Sequence, residues 1–389
     1  MTAAPPPVLP PATIGMLGGG QLGRMLGFAA RAMGYRMVVL DPDPECPSAP
    51  IADRVIAGAY DDVAAARELA AASDVVTYEL EHVAADVVAA VAEATPVRPG
   101  LEPLRVTQDR LAERAFVEAA GIAVAPWRAV ASVEALRAAA GELGTPLRLK
   151  APTGGYDGRS QVRIAGAADA DDALERLGRP AGESLLVERE LDFVAELSII
   201  VARGTDRRAV AFPPARNVHD DGILVESVAP ADLPVEALRA AQDIACRVAE
   251  AMDLVGTLTV ELFLLRDGSL VINELAPRVH NSGHWTIEGA ATSQFEQHIR
   301  AITGLPLGPT AAHRPTAIVN LLGTGGLRDA RLLGVDEALA VPETHLHLYD
   351  KRRVFERRKM GHVTALGTTT REALERARTA RSLLRWEDA

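Results

Sequence analysis

The chain has 389 residues, 48% hydrophobic and 24% charged, with a formal net charge of −11. That length supports two or three packed subdomains, while the acidic balance argues against a nucleic-acid coat protein and no apolar run reaches the ~20 residues that cross a bilayer. Cys46 and Cys246 stand alone, giving neither a disulfide framework nor zinc-finger spacing and matching a reducing cytoplasm.

Met1 to Pro11 is rich in Pro and Ala, lacks a basic residue and reads as a frayed tail. Thr13 to Leu17 reads as a buried strand, Gly18 to Gly20 as a turn, Gln21 to Met33 as a helix and Arg36 to Leu40 as a strand. Asp74 to Tyr78 and Ala84 to Ala94 continue as strand and helix, predicting a parallel-sheet α/β domain over 1–110. Gln108 to Ala120 reads as a helix leading out of it. A second α/β unit is expected over 111–202. It has a helix at Val133 to Glu142, strands at Leu147 to Lys150 and Gln161 to Ile164, and a glycine loop between those strands. A helix near Asp171 to Leu177 and strands near Leu185 to Glu188 and Ala195 to Val201 complete it. The region 203–313 carries a long helix (Val235 to Met252), a hairpin (Thr257 to Leu275) and a helix (Ala290 to Thr303). The region 314–389 adds strands and a final helix, Arg371 to Leu384.

Gly18, Gly20 and Gly23 spell G-x-G-x-x-G between a strand and a helix, with Asp41 ending the next strand. This pattern suits a dinucleotide pyrophosphate held at a helix N-terminus, a tight turn that needs small residues, or a single phosphate at that helix end aided by Gln21. The third is preferred, because a different nucleotide site is legible further on.

The hairpin is more informative. Two β-rich runs flank Asp267-Gly268, a leading two-residue turn, which predicts that Phe263 faces Ile272 and Glu261 faces Glu274. Only an odd loop length would break that pairing. Opposed carboxylates with Cβ atoms roughly 5 Å apart repel unless a cation lies between them. All-oxygen ligands point to Mg²⁺ or Mn²⁺, held together with substrate phosphates, and Asn273 stands ready to assist.

Of 41 Lys+Arg, only Lys150, Lys351 and Lys359 are lysine, so a retained lysine marks either a place where a compact ammonium is needed or a chance survivor of coding bias. Lys150 ends a strand and precedes a loop with Gly154, Gly155 and Gly158, whose N–H groups suit phosphates. Between Asp350 and Lys359 lie six basic and two acidic residues, a local patch suited to a small anion.

Several segments together resemble the N5-carboxyaminoimidazole ribonucleotide synthases of the ATP-grasp superfamily. They are Gly18-Gly-Gly-Gln-Leu-Gly-Arg-Met25, Gly154-Gly-Tyr-Asp-Gly-Arg-Ser-Gln161, Asn217-Val-His219, Asn273 to Trp285 and Arg358-Lys-Met-Gly-His362. The resemblance implies an α/β ATP-grasp fold with a Rossmann-like preATP-grasp domain and a small β-rich C-terminal domain. It implies that ATP activates bicarbonate as carboxyphosphate and that the amine of aminoimidazole ribonucleotide is carboxylated, in a cytoplasmic homodimer. By the same likeness, Arg110 and Lys150 hold ATP phosphates under a flap of Gly155, Tyr156, Asp157, Gly158, Arg159, Ser160 and Gln161. Glu188, Arg189, Glu190 and Leu191 line the adenine, Glu196 takes the ribose hydroxyls, and His219 and Asn273 lie beside the nucleotide. Glu261 and Glu274 take Mg²⁺. Tyr156, Asp157, Arg278 and Lys351 serve the chemistry, and Gln21, Leu22, Glu79, His280, Asn281, Lys351 and Arg358 take the ribonucleotide. Ser160 departs from the family's usual Gly and Arg357 from a small residue, so either Arg357 or Arg358 meets the phosphate. Rivals are an ATP-grasp carboxylase or formyl transferase for another amine, a nicotinamide oxidoreductase built on the first glycines, and a non-catalytic ATP-binding regulator.

Overall fold

A computed structural model describes residues 5–154, 160–166, 169–178 and 182–389. The first unit alternates strand and helix: β1 (Thr13–Leu17), α1 (Gln21–Ala32), β2 (Arg36–Asp41), β3 (Arg54–Ala57), α2 (Val63–Ala71), β4 (Val75–Tyr78) and α3 (Ala85–Ala92). Its sheet is parallel, in the order β3-β2-β1-β4. β3 and α2 are additions to the sequence reading. α2 is mostly alanine and has little pattern to betray it, but Asp62 caps it through the Ala64 and Ala65 N–H groups.

The expected helix at Gln108 to Ala120 corresponds to α5 (Arg110–Ala119), and a separate helix, α4 (Leu101–Gln108), precedes it. Asp109 is extended between them and accepts the Leu111 and Ala112 N–H groups at 2.7 and 3.2 Å, so a residue inside the expected helix is its cap. The second unit comprises β5 (Trp127–Val130), α6 (Val133–Leu143), β6 (Leu147–Lys150), β7 (Gln161–Ile164), α7 (Ala170–Leu177) and β8 (Leu185–Arg189). Its strands form an antiparallel sheet ordered β5-β8-β6-β7, with Leu136, Ala139, Leu147 and Val187 in the core between sheet and helices.

The next elements are β9 (Phe193–Arg203), β10 (Ala209–Ala211), β11 (Ala215–Asp220), β12 (Ile223–Ala229), α8 (Val235–Ala251), β13 (Gly256–Leu265), β14 (Leu270–Ala276), α9 (Thr286–Gly289) and α10 (Gln294–Thr303). After them come β15 (Thr316–Leu322), β16 (Arg328–Leu333), α11 (Val335–Leu339), β17 (Thr344–Leu348), β18 (Arg353–Val354), β19 (Lys359–Leu366), α12 (Thr370–Leu383) and β20 (Arg385–Asp388). Among the described residues the large sheet runs β14-β13-β9-β11-β12-β15-β19-β17, with β10 beside β9. The sheet crosses two of the expected boundaries. β9, expected with the unit ending at 202, pairs with β13 and β11 of the large sheet. The strands β15, β17 and β19 of the expected separate C-terminal region extend that same sheet; only β18-β16-β20 form a sheet of their own.

α8 lays Ala241, Ala245 and Val248 on the β9 and β13 side chains Leu197, Ile199, Leu258 and Val260, the largest apolar core. α10 packs Phe295, Ile299 and Ile302 against α1 and β1 of the first unit. Buried His298 bridges the same junction, with Thr77 Oγ1 at 2.8 Å from Nε2 and Thr257 Oγ1 at 2.8 Å from Nδ1. The N-terminal segment is anchored at this point too: Val8 N–H donates to Thr303 O at 2.8 Å and Tyr35 O–H to Val8 O at 2.7 Å. The expected frayed tail thus does not extend to Pro11.

The hairpin turn is longer than expected, and a second irregularity compensates for it. Leu264 faces Leu270 and Phe263 faces Val271, one step off the two-residue prediction. Gly268, at φ +84°, makes the loop odd by supplying a left-handed residue after the turn. A β-bulge then inserts Asn273 opposite the Glu261/Leu262 step and restores Glu261 against Glu274.

Candidate active site

The N-terminus of α1 presents N–H groups to an anion, and the protein supplies that anion itself. Gly23 N–H donates to Glu79 Oε2 at 2.6 Å and Gly20 N–H donates to Glu79 Oε1. Gly19 N–H donates to Asp41 Oδ2 at 2.7 Å, which also receives the Tyr60 hydroxyl. A Cβ on Gly20 would stand 2.6 Å from Glu79 Oε1, so glycine here makes room for a carboxylate. This corrects the preferred phosphate reading of the first glycines and equally removes the pyrophosphate cradle of an oxidoreductase. Burial pushes the Glu79 carboxyl up, the two N–H groups pull it down, and Lys351 lends positive charge. Gln21 opens α1 half-buried, while the Leu22 side chain belongs to the core, leaving only its main chain for a ligand.

At the hairpin the carboxylates do meet, Glu261 half-buried and Glu274 exposed. Burial, and then the Glu274 charge, push Glu261 up to about 7; His219 and Lys359 pull in the opposite direction. Burial and the facing carboxylate both disfavour the charged form here, and a divalent cation between the pair would relieve them. Among the described residues no group of three or more His, Cys, Asp or Glu has metal-site geometry. Two carboxylates alone suit a hard dication that completes its shell with phosphate oxygens and water.

Lys150 ends β6 and pairs with Glu188 Oε1 on β8. Glu188 is therefore not merely an adenine-side residue: its other oxygen accepts Arg114 Nε and Nη2 at 3.1 and 3.0 Å. Burial would raise Glu188, but Lys150 and Arg114 outweigh it and bring the carboxyl down to about 2. Arg114 Nη1 donates to Glu113 Oε1 at 2.7 Å and Nη2 to Asn273 O at 2.8 Å. Glu113 Oε2 accepts the Leu275 N–H at 2.9 Å. Burial lifts Glu113 to about 7 against the pull of Arg114, with Glu274 adding to the lift. Arg110 hydrogen-bonds Ala151 O at 2.9 Å, at the base of the glycine loop. Ser160 O accepts the Ala151 N–H at 3.1 Å, and Gln161 pairs with Lys150 across β6 and β7. Gly155, Tyr156, Asp157, Gly158 and Arg159 lie outside the described residues.

Of the expected adenine strand, Arg189 sends its Nε to Leu143 O at 2.8 Å, and Glu190 pairs with Arg148 and Arg163 at 3.1 and 2.6 Å. The Glu190 N–H is taken by Pro146 O at 3.0 Å; Leu191 follows half-buried in the connection to β9. Glu196 and His219 lie on neighbouring strands and hydrogen-bond directly. His219 loses some basicity to burial but gains more from Glu196 and Glu261, so its pKa is raised.

Arg278 pairs through Nε with Glu81 Oε1 at 2.7 Å, a partner the sequence did not suggest. His280 Nε2 is 3.7 Å from Glu261 Oε1, and burial and then Arg278 hold its pKa well below the ordinary value. Asn281 is buried, with neither amide atom hydrogen-bonded among the described residues, as befits a group kept for a polar ligand. Lys351 Nζ donates to Lys359 O at 2.8 Å. Arg357, at φ +64°, donates to Asp220 Oδ2 at 3.0 Å, whereas Arg358 donates to Arg353 O and lies over Phe355. Arg357 is thus committed to β11.

Sequence reasoning missed Glu81, Glu113, Arg114 and Lys359. Lys359 carried a signal, being one of three lysines, and its charge acts on Glu261, His219 and His280.

A four-stranded antiparallel sheet bearing a lysine, bound to a larger sheet bearing a carboxylate hairpin, is the architecture of an ATP-grasp enzyme. Family models agree: a ribonucleotide synthetase preATP-grasp domain matches residues 11–108, an ATP-grasp domain 115–295, and a phosphoribosylaminoimidazole carboxylase C-terminal domain 316–376. The chain belongs to the N5-carboxyaminoimidazole ribonucleotide synthase family. It is 44% identical to the N5-carboxyaminoimidazole ribonucleotide synthase of Brucella melitensis over 93% of this chain and 98% of the relative. A solved ADP complex of an N5-carboxyaminoimidazole ribonucleotide synthetase superposes with a TM-score of 0.89 at 41% identity, covering 96% of this chain and 97% of the other. The Aspergillus clavatus N5-carboxyaminoimidazole synthase in complex with ADP and 5-aminoimidazole ribonucleotide gives a TM-score of 0.85 at 32% identity, covering 96% and 98%.

Proposed function

We propose that the chain carboxylates the exocyclic amine of 5-aminoimidazole ribonucleotide with bicarbonate, in purine biosynthesis. ATP is spent to activate bicarbonate as carboxyphosphate, and ADP and phosphate leave. The observation that carries this reading is the pair Glu261 and Glu274, opposed across one hairpin and joined to the Lys150 strand through Arg114.

Lys150 and Arg110 would hold the transferring phosphate oxygens at the base of the flap. Glu261 and Glu274 would hold Mg²⁺, which when bound neutralises charge on the triphosphate; Mn²⁺ meets the same oxygen set. Glu196, steadied by His219, would accept the ribose hydroxyls. Asn281, His280, Arg278, Lys351 and Arg358 face the ribonucleotide in this reading, with Gln21 and Glu79 on the first unit's side. Tyr156 and Asp157 on the flap are assigned to the bicarbonate and the reacting amine by likeness to the family. Cytoplasmic localisation rests on the two free cysteines and the family; assembly as a homodimer rests on the family alone and is testable by light scattering.

The test is ADP release by the purified chain in Mg²⁺. The expected result is turnover that requires both bicarbonate and aminoimidazole ribonucleotide. Equal rates with and without that amine would reject the substrate assignment.

A further inference from the structure

We propose that Glu113 and Arg114 are positioning residues, which fix the main chain on both sides of Glu274 and lock it, through Glu188, to the small sheet that carries Lys150. This rests on the reading of Glu274 as a metal ligand and Lys150 as a phosphate partner.

Among the described residues β14 is the edge strand of the large sheet, and its outward side meets only an isolated bridge, Ile272 N–H donating to Ala123 O at 2.9 Å. Two other main-chain groups of this strand flank Glu274. The Asn273 carbonyl, on the bulged residue, accepts Arg114 Nη2 at 2.8 Å, and the Leu275 N–H donates to Glu113 Oε2 at 2.9 Å. Glu113 and Arg114 are consecutive residues of α5, and they hold each other at 2.7 Å. One rigid helical turn therefore fixes the residue before and the residue after the expected ligand.

The same guanidinium reaches a third element. Its Nε and Nη2 converge on Glu188 Oε2 at 3.1 and 3.0 Å, and the other Glu188 oxygen takes Lys150. Arg114 thus spans helix, small sheet and hairpin, and its side chain is only 2% exposed. A buried charge network of this kind contributes little net stability compared with apolar packing. What it supplies is geometry, because a planar fork fixes the angles between its acceptors. A bulge leaves a strand free to swing; here the bulged carbonyl is pinned, so the Glu274 carboxylate keeps its register with Glu261. Edge protection alone would not require a link to Lys150.

The experiment measures Mn²⁺ binding by electron paramagnetic resonance, on the full chain with ATP and without the amine substrate, alongside steady-state kinetics. Folding of each variant is checked by circular dichroism. Arg114→Met is expected to weaken ATP-dependent Mn²⁺ binding by about 10–100-fold and to lower kcat more than it raises KM for aminoimidazole ribonucleotide. Arg114→Lys, which keeps the charge, is expected to recover part of both. A folded Arg114→Met with unchanged Mn²⁺ affinity overturns the proposal. If Arg114→Met does not fold, Glu113→Leu carries the test: weaker Mn²⁺ binding supports the proposal and unchanged binding overturns it. Glu274→Gln is the control for the underlying assignment. Its failure to weaken Mn²⁺ binding would remove the metal reading itself. Its success beside an unaffected Arg114→Met would remove only the positioning role.

Discussion

The start of α1 and the β13–β14 hairpin pose opposite electrostatic problems, and the protein solves only the first by itself. At α1 the helix-end N–H groups ask for an anion, and Asp41 at the end of β2 and Glu79 just after β4 provide it. At the hairpin two carboxylates face each other, and burial together with the Glu274 charge pushes Glu261 up to about 7. A glycine-rich helix end is therefore weak evidence for a phosphate until the residues around it are known. A like-charge pair that the fold holds together is stronger evidence, because keeping it has a persistent cost.

That contrast can be broken by substitution. The largest effect is expected from Glu274→Ala, which should lower amine-dependent ADP release by about a thousandfold; near-normal rates in Mg²⁺ would make the hairpin pair as self-sufficient as the α1 end. Glu188 comes next, as a buried charge that the protein has fully paired. Glu188→Gln should destabilise by about 3–5 kcal/mol in urea melts, since Arg114 and Lys150 lose their partner. The pH dependence has a definite sign. The folded-state carboxyl lies at about 2, below its unfolded value near ~4.3. Its stabilisation is therefore complete above pH ~4.3 and lost as pH falls from there to about 2. The acid limb of a stability–pH curve should flatten in Glu188→Gln.

A smaller effect is expected at α1. Glu79→Ala should lower stability by about 2 kcal/mol, by freeing the Gly20 and Gly23 N–H groups. In the native chain, NAD should leave the melting temperature unchanged, because the protein's own carboxylate fills the cradle. The smallest effect belongs to Arg266→Ala at the hairpin tip. Its pair with Asp192 is about three-quarters exposed, at 72% and 73%, and its loss should leave the melting temperature unmoved.

Much of the fold was legible because apolar runs and their punctuation are local. β1, β6 and β7 fall where the sequence places them. What escaped was non-local. The separate C-terminal region was unreadable as part of the large sheet, because β15 meets β12 only in three dimensions. The Glu261–Glu274 pairing was reached through a turn one residue too short, and only the bulge at Asn273 made the inference hold. Odd loops and bulges leave no mark in hydrophobic alternation when they cancel. Glu113 and Arg114 read as ordinary charges on a helix, since nothing in the sequence says that both would be buried. Glu79 was named as a ligand residue, and the fold places its carboxylate at the very helix end where a phosphate was expected. Lys359 is marked in the sequence only by the rarity of lysine, and its effect on Glu261, His219 and His280 acts through space.

The most direct test is anomalous diffraction from crystals grown with Mn²⁺ and a non-hydrolysable ATP analogue. The account predicts a manganese peak bridging Glu261 and Glu274, about 2.0–2.2 Å from an oxygen of each. A peak that avoids both carboxylates while nucleotide is bound would contradict it.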